Sequence, residues 1–283
     1  MKIGSEAHKE LFCRSFIDSH LQYEPETLPW PQLDDVSLER LRSIPFWVEA
    51  LDTESEAGVM VSTFAETVED PLIREAIALQ GMEEDRHARL LRYLIQHYDI
   101  PIPERPPVKL PQNLGPAFIK FGYGECLDSF LAFGLFAIAR DAAYFPESIF
   151  SIFSTLVDEE ARHIVFFVNW IAYLETQKGR GAAPLRAINS GVNYLKALFN
   201  LYKLVSAPDR GGAGFTATGA NEFTDNLTLD SFLSSCINAN AERMAPFDPR
   251  LLQPSLMPSI ASNALRVVRL FQRPTPVAPI TGS

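Results

Sequence analysis

Two stretches, Glu83-Glu84-Asp85-Arg86-His87 and Glu159-Glu160-Ala161-Arg162-His163, repeat one pattern inside long apolar-periodic segments. In each, a glutamate and a histidine stand three residues apart, so on a helix Glu84 with His87 and Glu160 with His163 fall on one face, one turn apart. Around the first copy lie Ile77, Leu79, Met82, Leu90, Leu91 and Leu94. A carboxylate and an imidazole directed into so apolar a side need a partner or a metal, because burying them uncompensated is costly. Two such helices can close their polar faces on one metal pair.

The flanking segments supply further carboxylates at matching heights. From about Phe46 to Val68 the stripe Ala57, Val61, Phe64 and Val68 predicts a helix, and Glu54 continues that stripe. Glu69-Asp70-Pro71 reads as a helix-to-helix turn, with an acidic cap before a proline suited to the first turn of the next helix. A fold-back centred near residue 69 brings Glu54 and Glu84, fifteen residues to either side, level with each other. Glu56 is nearly symmetrical with Glu84 about the same turn but lies farther round from the stripe, so Glu54 is favoured. The proline-rich 101–111 is expected to be a stiff crossing between two hairpins. A helix over 115–142 is apolar over much of its circumference, and Glu125 and Asp128 interrupt it on one face. A turn at Phe145-Pro146-Glu147 leads into a helix over 147–176, and Glu125 and Glu160 are nearly symmetrical about residue 142. Both hairpins therefore share the order Glu, turn, Glu-x-x-His, with separations of thirty and thirty-five residues.

The set so assembled is Glu54, Glu84, His87, Glu125, Glu160 and His163. Four carboxylates and two imidazoles favour iron or manganese over a softer metal, and a helix bundle can hold two ions bridged by carboxylates. Two Fe ions are expected, with Mn or a mixed Fe/Mn pair as the other option. A single-zinc hydrolase fits less well, since HExxH is absent and carboxylates are in excess. The competing explanation is a charged helix surface with incidental histidines. Glu83, Glu159, Arg86 and Arg162 are then either exposed charges or groups that orient the histidines.

These residues resemble those of the ferritin-like di-iron carboxylate superfamily, over about 46–176. The resemblance implies an all-α, ferritin-like antiparallel four-helix bundle in which Glu54, Glu84 with His87, Glu125, and Glu160 with His163 are the metal ligands of successive helices. It also implies oxygen chemistry, with oxidases, oxygenases and storage proteins among the superfamily's members. Ribonucleotide reductase small subunits commonly place a tyrosine four residues beyond the first motif histidine, where this chain has Leu91. Rubrerythrins often add a cysteine-bound iron domain, and no Cys-x-x-Cys occurs here. Aldehyde-deformylating oxygenases share the ligand arrangement, but nothing in the chain marks a fatty aldehyde pocket.

Composition narrows the function classes. A formal charge of -10 opposes a general nucleic-acid binder, which needs cations over phosphates. Cys13, Cys126 and Cys236 are odd in number and widely spaced, so neither a disulfide framework nor a thiolate zinc site is indicated. No secretory leader is expected, and no run reaches membrane-spanning length without charge, so a cytoplasmic location without stable membrane insertion follows. Residues 1–45 read as an N-terminal helical extension packed outside the bundle. Residues 177–272 read as a C-terminal extension: a packing or homodimer helix over 186–206, a loop over 209–224, a helix over 229–244, a wrapping segment over 247–260 and a last helix over 259–272. Residues 273–283 read as a mobile tail. The expected function is a di-iron oxidase or oxygenase acting with dioxygen on a small hydrophobic organic substrate. Phe130, Phe133 and Phe136 motivate the substrate class, and an external electron donor such as a reductase would be needed. A ferroxidase or peroxide-detoxifying iron protein and a noncatalytic helical interaction protein are the alternatives.

Overall fold

In the computed structural model, which describes residues 1–180, 191–195 and 227–271, the chain is all-helical, with no strand among those residues. Helix α1 spans Glu6–Asp18, α2 Asp35–Ser43, α3 Trp47–Glu66, α4 Pro71–His97, α5 Leu114–Asp141 and α6 Glu147–Gln177. Helices α7, Leu229–Met244, and α8, Leu256–Phe271, follow, and a short 3-10 turn, Pro25–Thr27, lies between α1 and α2. Local chemistry sets these limits. The Asp70 carboxylate accepts from the amides of Leu72 and Ile73 at 3.0 and 3.1 Å, with Pro71 in the first turn of α4. Such a cap is worth about 1 kcal/mol. Five prolines between 101 and 111 keep that crossing free of helix.

Helices α3 and α4 make the most extensive packing pair. Gly58 on α3 faces the backbone of Asp85, and Gly81 on α4 faces that of Ser62. A four-residue step along α3, from 58 to 62, is thus matched by a four-residue step back along α4, from 85 to 81. The pair is antiparallel, and close enough that a Cβ on Gly58 would stand 2.9 Å from the Asp85 amide nitrogen. The register is centred between residues 71 and 72, not near 69, so Glu56 and not Glu54 lies opposite His87. Helical angle overrides height: Glu56 is exposed, while Glu54 turns inward. On the other side, Phe118 meets Phe167 and Trp170, and Phe136 meets Phe150, so α5 and α6 are antiparallel too.

One apolar cluster runs through α1 and α3 to α8, and includes Phe12, Val61, Ile77, Phe130, Ile164 and Cys236. A second gathers Leu41, Trp47, Leu94, Phe145 and Phe150 at one end. Along α3, Leu51 belongs to the second cluster and Met60 to the first, with Glu54 between them; along α4, Ile77 and Leu91 flank Glu84 and His87 in the same way. The carboxylates and imidazoles of these two helices therefore occupy a polar layer between two apolar ones.

The extensions are more closely joined to this core than the sequence suggests. Helix α1 lies against α4 and α6, but its Phe12, Cys13 and Phe16 are buried in the main cluster. Asn169 on α6 joins α1 to the segment between α7 and α8: its Oδ1 meets His8 Nε2 at 2.9 Å and accepts from the Leu252 amide at 2.9 Å, and its Nδ2 donates to the Leu252 carbonyl at 2.8 Å. Helix α7 packs on α5, where Gly134 admits Cys236. The last helix starts at Leu256, earlier than expected, because Pro258 sits in its first turn, where a missing N–H is tolerated. Residues 191–195 are helical and bury Tyr194 against Tyr123, whose ring is 5.0 Å away. The rest of the helix expected over 186–206, the loop over 209–224 and the tail over 273–283 lie outside the described residues. By length and composition alone α5 could cross a membrane. Here it is packed by α3, α6, α7 and α8.

Candidate metal centre

The six side chains singled out by spacing converge from α3, α4, α5 and α6. His87 Nδ1 lies 3.1 Å from Glu160 Oε1, 3.5 Å from Glu54 Oε2 and 3.8 Å from Glu84 Oε2. His163 Nδ1 lies 3.1 Å from Glu84 Oε1, 3.7 Å from Glu160 Oε2 and 3.9 Å from Glu125 Oε1. Two overlapping groups result, Glu54, Glu84, His87 and Glu160, and Glu84, Glu125, Glu160 and His163; within each, the ligand atoms lie within 4.8 Å of one another. Each group could hold a metal ion, and Glu84 and Glu160 belong to both. Glu56 is not in either group. Asp128, which shares a helix face with Glu125 in the sequence, is exposed and also outside both groups.

Behind the histidines lies a crossed network that sequence reasoning left undecided. Glu83, on α4, accepts from His163 Nε2 of α6 at 2.9 Å and from Arg162 Nη1 at 2.8 Å. Glu159, on α6, accepts from His87 Nε2 of α4 at 2.9 Å and from Arg86 Nη2. Both glutamates are fully buried, and both arginines are buried as well. An ionised carboxylate can only accept, so Nε2 of each ring carries a hydrogen. In the neutral imidazole this leaves a bare lone pair on each Nδ1, aimed at carboxylates. Neither Nδ1 has a hydrogen-bond partner. Two buried acceptors set among four carboxylates call for cations.

The electrostatics point the same way. Burial by itself would push both imidazoles down. Contacts with Glu159, Glu160 and Glu54 outweigh it at His87, and contacts with Glu84, Glu160 and Glu83 at His163, so both are held well above the ordinary histidine value. Burial raises Glu54, with partial relief from His87, and it raises Glu125, helped by Glu84 and Glu160. Glu160 is held low in spite of burial, by His163 and His87. Without a cation the cluster must keep protons. With neutral imidazoles and ionised carboxylates it carries four negative charges, the number that two divalent ions balance.

Three other features complete the geometry. Gln80 donates through Nε2 to Glu84 Oε1 at 3.1 Å and, at 3.4 Å, to Glu125 Oε2, tying two carboxylates together. No pattern in the sequence marks this residue, although it lies one turn before Glu84 on the same face. A third acidic group, His20, Glu83 and Glu159, has ligand atoms equally close together. Its two glutamates are already paired with Arg162 and Arg86, so a further cation there would meet two guanidinium charges. A small cavity lined by Phe12, Ser15, Phe16, Ser19 and Arg162 lies on the arginine side of the network and touches none of the six candidate ligands.

Phe130 and Phe133 are fully buried in the main apolar cluster, where they serve as core. Comparison with protein families, with curated proteins and with solved structures found no match to this chain.

Proposed function

We propose that the chain is a ferritin-like four-helix bundle that holds two iron ions and acts as an oxidase or oxygenase, using dioxygen on a small hydrophobic organic substrate. The observation that carries this reading is the pair of buried Nδ1 atoms without hydrogen-bond partners, each facing carboxylates that form two overlapping ligand groups. His87 with Glu54 would hold one ion, His163 with Glu125 the other, and Glu84 and Glu160 would lie between them. When bound, an iron pair supplies reversible redox chemistry and a site for dioxygen.

The chain's own residues provide orientation and selectivity. Glu159 and Glu83 fix the tautomer of His87 and His163 so that each presents Nδ1. Gln80 steadies Glu84 and Glu125. Glu54, Glu160 and Glu125 keep 18%, 15% and 10% of their side-chain surface accessible, while both histidines keep none. A small molecule would therefore approach from the carboxylate side, and the imidazole side is sealed. Repeated reductive oxygen chemistry needs an external electron donor, so a separate reductase is part of the proposal.

Anaerobic reconstitution with Fe(II) should load about two irons per chain, and admission of oxygen should change the optical spectrum. Binding of one zinc, with no oxygen-dependent spectral change, sinks the reading. Oxygen consumption driven by Fe(II) or peroxide alone, with no organic substrate, would assign the site to a ferroxidase instead.

A further inference from the structure

The extended segment after α1 carries two residues that no helical pattern selects, yet both reach the centre of the molecule. His20 Nδ1 donates to Glu83 Oε1 at 2.7 Å, and Tyr23 Oη donates to Glu159 Oε2 at 3.0 Å. The same segment, with the last turn of α1, also accepts from the two arginines. Arg86 Nη1 donates to the Leu21 carbonyl at 2.9 Å; Arg162 donates through Nε to Ser19 Oγ at 2.9 Å and through Nη2 to the Phe16 carbonyl at 2.6 Å. The stacking repeats this division, with Arg86 4.2 Å from the centre of the Tyr23 ring and Arg162 4.5 Å from that of Phe16.

Each buried glutamate thus receives three donors: a candidate ligand histidine, an arginine and one residue of this segment. The arrangement divides by half-site. By hydrogen bonds Tyr23 serves the Glu159–His87 branch and His20 the Glu83–His163 branch, while Arg86 Nη2 also stands 3.9 Å from Glu83 Oε1 and His20 lies within 4.8 Å of Glu159. Glu83 and Glu159 have no accessible surface, so water cannot replace a lost donor without the segment moving aside.

We infer that residues 19–23 form a strap that positions the two histidines separately: Tyr23 sets His87 through Glu159 for one ion, and His20 sets His163 through Glu83 for the other. The inference rests on the two-ion reading above and adds to it a division of labour between residues far from either ion. His20 and Tyr23 are positioning residues; neither reaches the ligand groups. Metal binding and strap docking are then linked, because each favours the same orientation of the imidazoles.

The test uses the full chain and Mn(II), titrated anaerobically and followed by the electron paramagnetic resonance signal of the free ion. Wild type should show two bound ions. Tyr23→Phe should weaken one of them about tenfold and His20→Ala the other, a loss of one oriented hydrogen bond in each case. Tyr23→Phe should add little to the loss caused by Glu54→Gln but add fully to that of Glu125→Gln, with the reverse order for His20→Ala. His20→Asn, which keeps a donor near the Nδ1 position, should recover most of the affinity lost in His20→Ala. Mn(II) should slow amide hydrogen exchange over 19–24 in wild type, a change that a purely structural strap would not show. If wild type binds no Mn(II), the two-ion reading fails and takes the strap with it. If wild type binds two ions and both single variants leave both affinities unchanged, or if either variant weakens both ions equally, the strap assignment is overturned while the two-ion reading stands.

Discussion

Glu83→Gln probes the buried network at its most heavily loaded point. Glu83 has no accessible surface and accepts from His20 Nδ1 at 2.7 Å, Arg162 Nη1 at 2.8 Å and His163 Nε2 at 2.9 Å. A glutamine keeps one acceptor oxygen and turns the other position into a donor that must face one of these three donors. The remaining hydrogen-bond partners of Arg162, the Phe16 carbonyl and Ser19 Oγ, are uncharged, so the guanidinium would stay buried without its counter-charge. Removing one partner of a buried pair costs about 3–5 kcal/mol. For a chain of this length, at roughly 2 °C per kcal/mol, the Tm of the metal-stripped protein should fall by about 6–10 °C. On the two-ion proposal, the affinity for the ion that His163 would hold should fall about 10–100-fold.

The pH dependence gives a second handle on the same variant. Burial raises Glu83, but His163 and Arg162 outweigh it and hold the carboxyl below the ordinary value of 4.5. A lowered folded value means stabilisation that is complete above the unfolded value and lost as pH falls through the folded one. Wild type and Glu83→Gln should therefore differ most at neutral pH and converge in acid. Thermal melts across pH, followed by Mn(II) titration, read all three effects. A Tm within about 1 °C of wild type, with unchanged Mn(II) binding, would refute the network, since an exposed carboxylate contributes well under 1 kcal/mol.

Two further outcomes follow from the ligand geometry. Glu54→Gln should lower Mn(II) affinity at one ion by at least about tenfold, whereas Glu56→Gln, at an exposed position, should leave the titration unchanged; equal effects would return the choice between them to the beginning. Because His87 and His163 are held well above the ordinary value, loading must expel protons, so Mn(II) affinity should rise between about pH 6 and 8 and loading should acidify a weakly buffered solution. By the same sign, stability supplied by the raised histidines is lost as pH rises through their folded values, and the gain in Tm on Mn(II) loading should grow with pH.

The helices over 46–176 were legible because their boundaries depend on neighbouring residues: Asp70 capping α4, Pro71 in its first turn, the prolines of 101–111. The six candidate ligands were legible because helical periodicity fixes which residues share a face. Height was a weaker guide. The α3–α4 register is set by where Gly58 and Gly81 let the backbones approach, which a turn centre does not reveal. The environment of Glu83 and Glu159 was not legible. Each precedes a candidate ligand by one residue, a rotation of about 100°, which turns it toward whatever covers that side of the helix. Here the cover is α1 and the strap, and His20 and Tyr23 lie 63 and 136 residues from their partners in a stretch with no periodic pattern.

The crossing in that network has a consequence for how the two half-sites depend on each other. Glu83 shares α4 with His87 but orients His163 on α6; Glu159 shares α6 with His163 but orients His87 on α4. Neither helix can present its own imidazole correctly unless the other is in register. A slide of one helix by a single residue, a rise of about 1.5 Å, would disturb both His–Glu bonds at once and deprive two buried imidazole Nε2–H groups of their acceptors. The arginines extend the rule, because Arg86 is paired with Glu159 and Arg162 with Glu83, again across the helices. The repeated Glu-Glu-x-Arg-His stretch is thus half of a reciprocal lock. In each copy the second glutamate and the histidine face the layer of candidate ligands, and the first glutamate and the arginine bind the other copy.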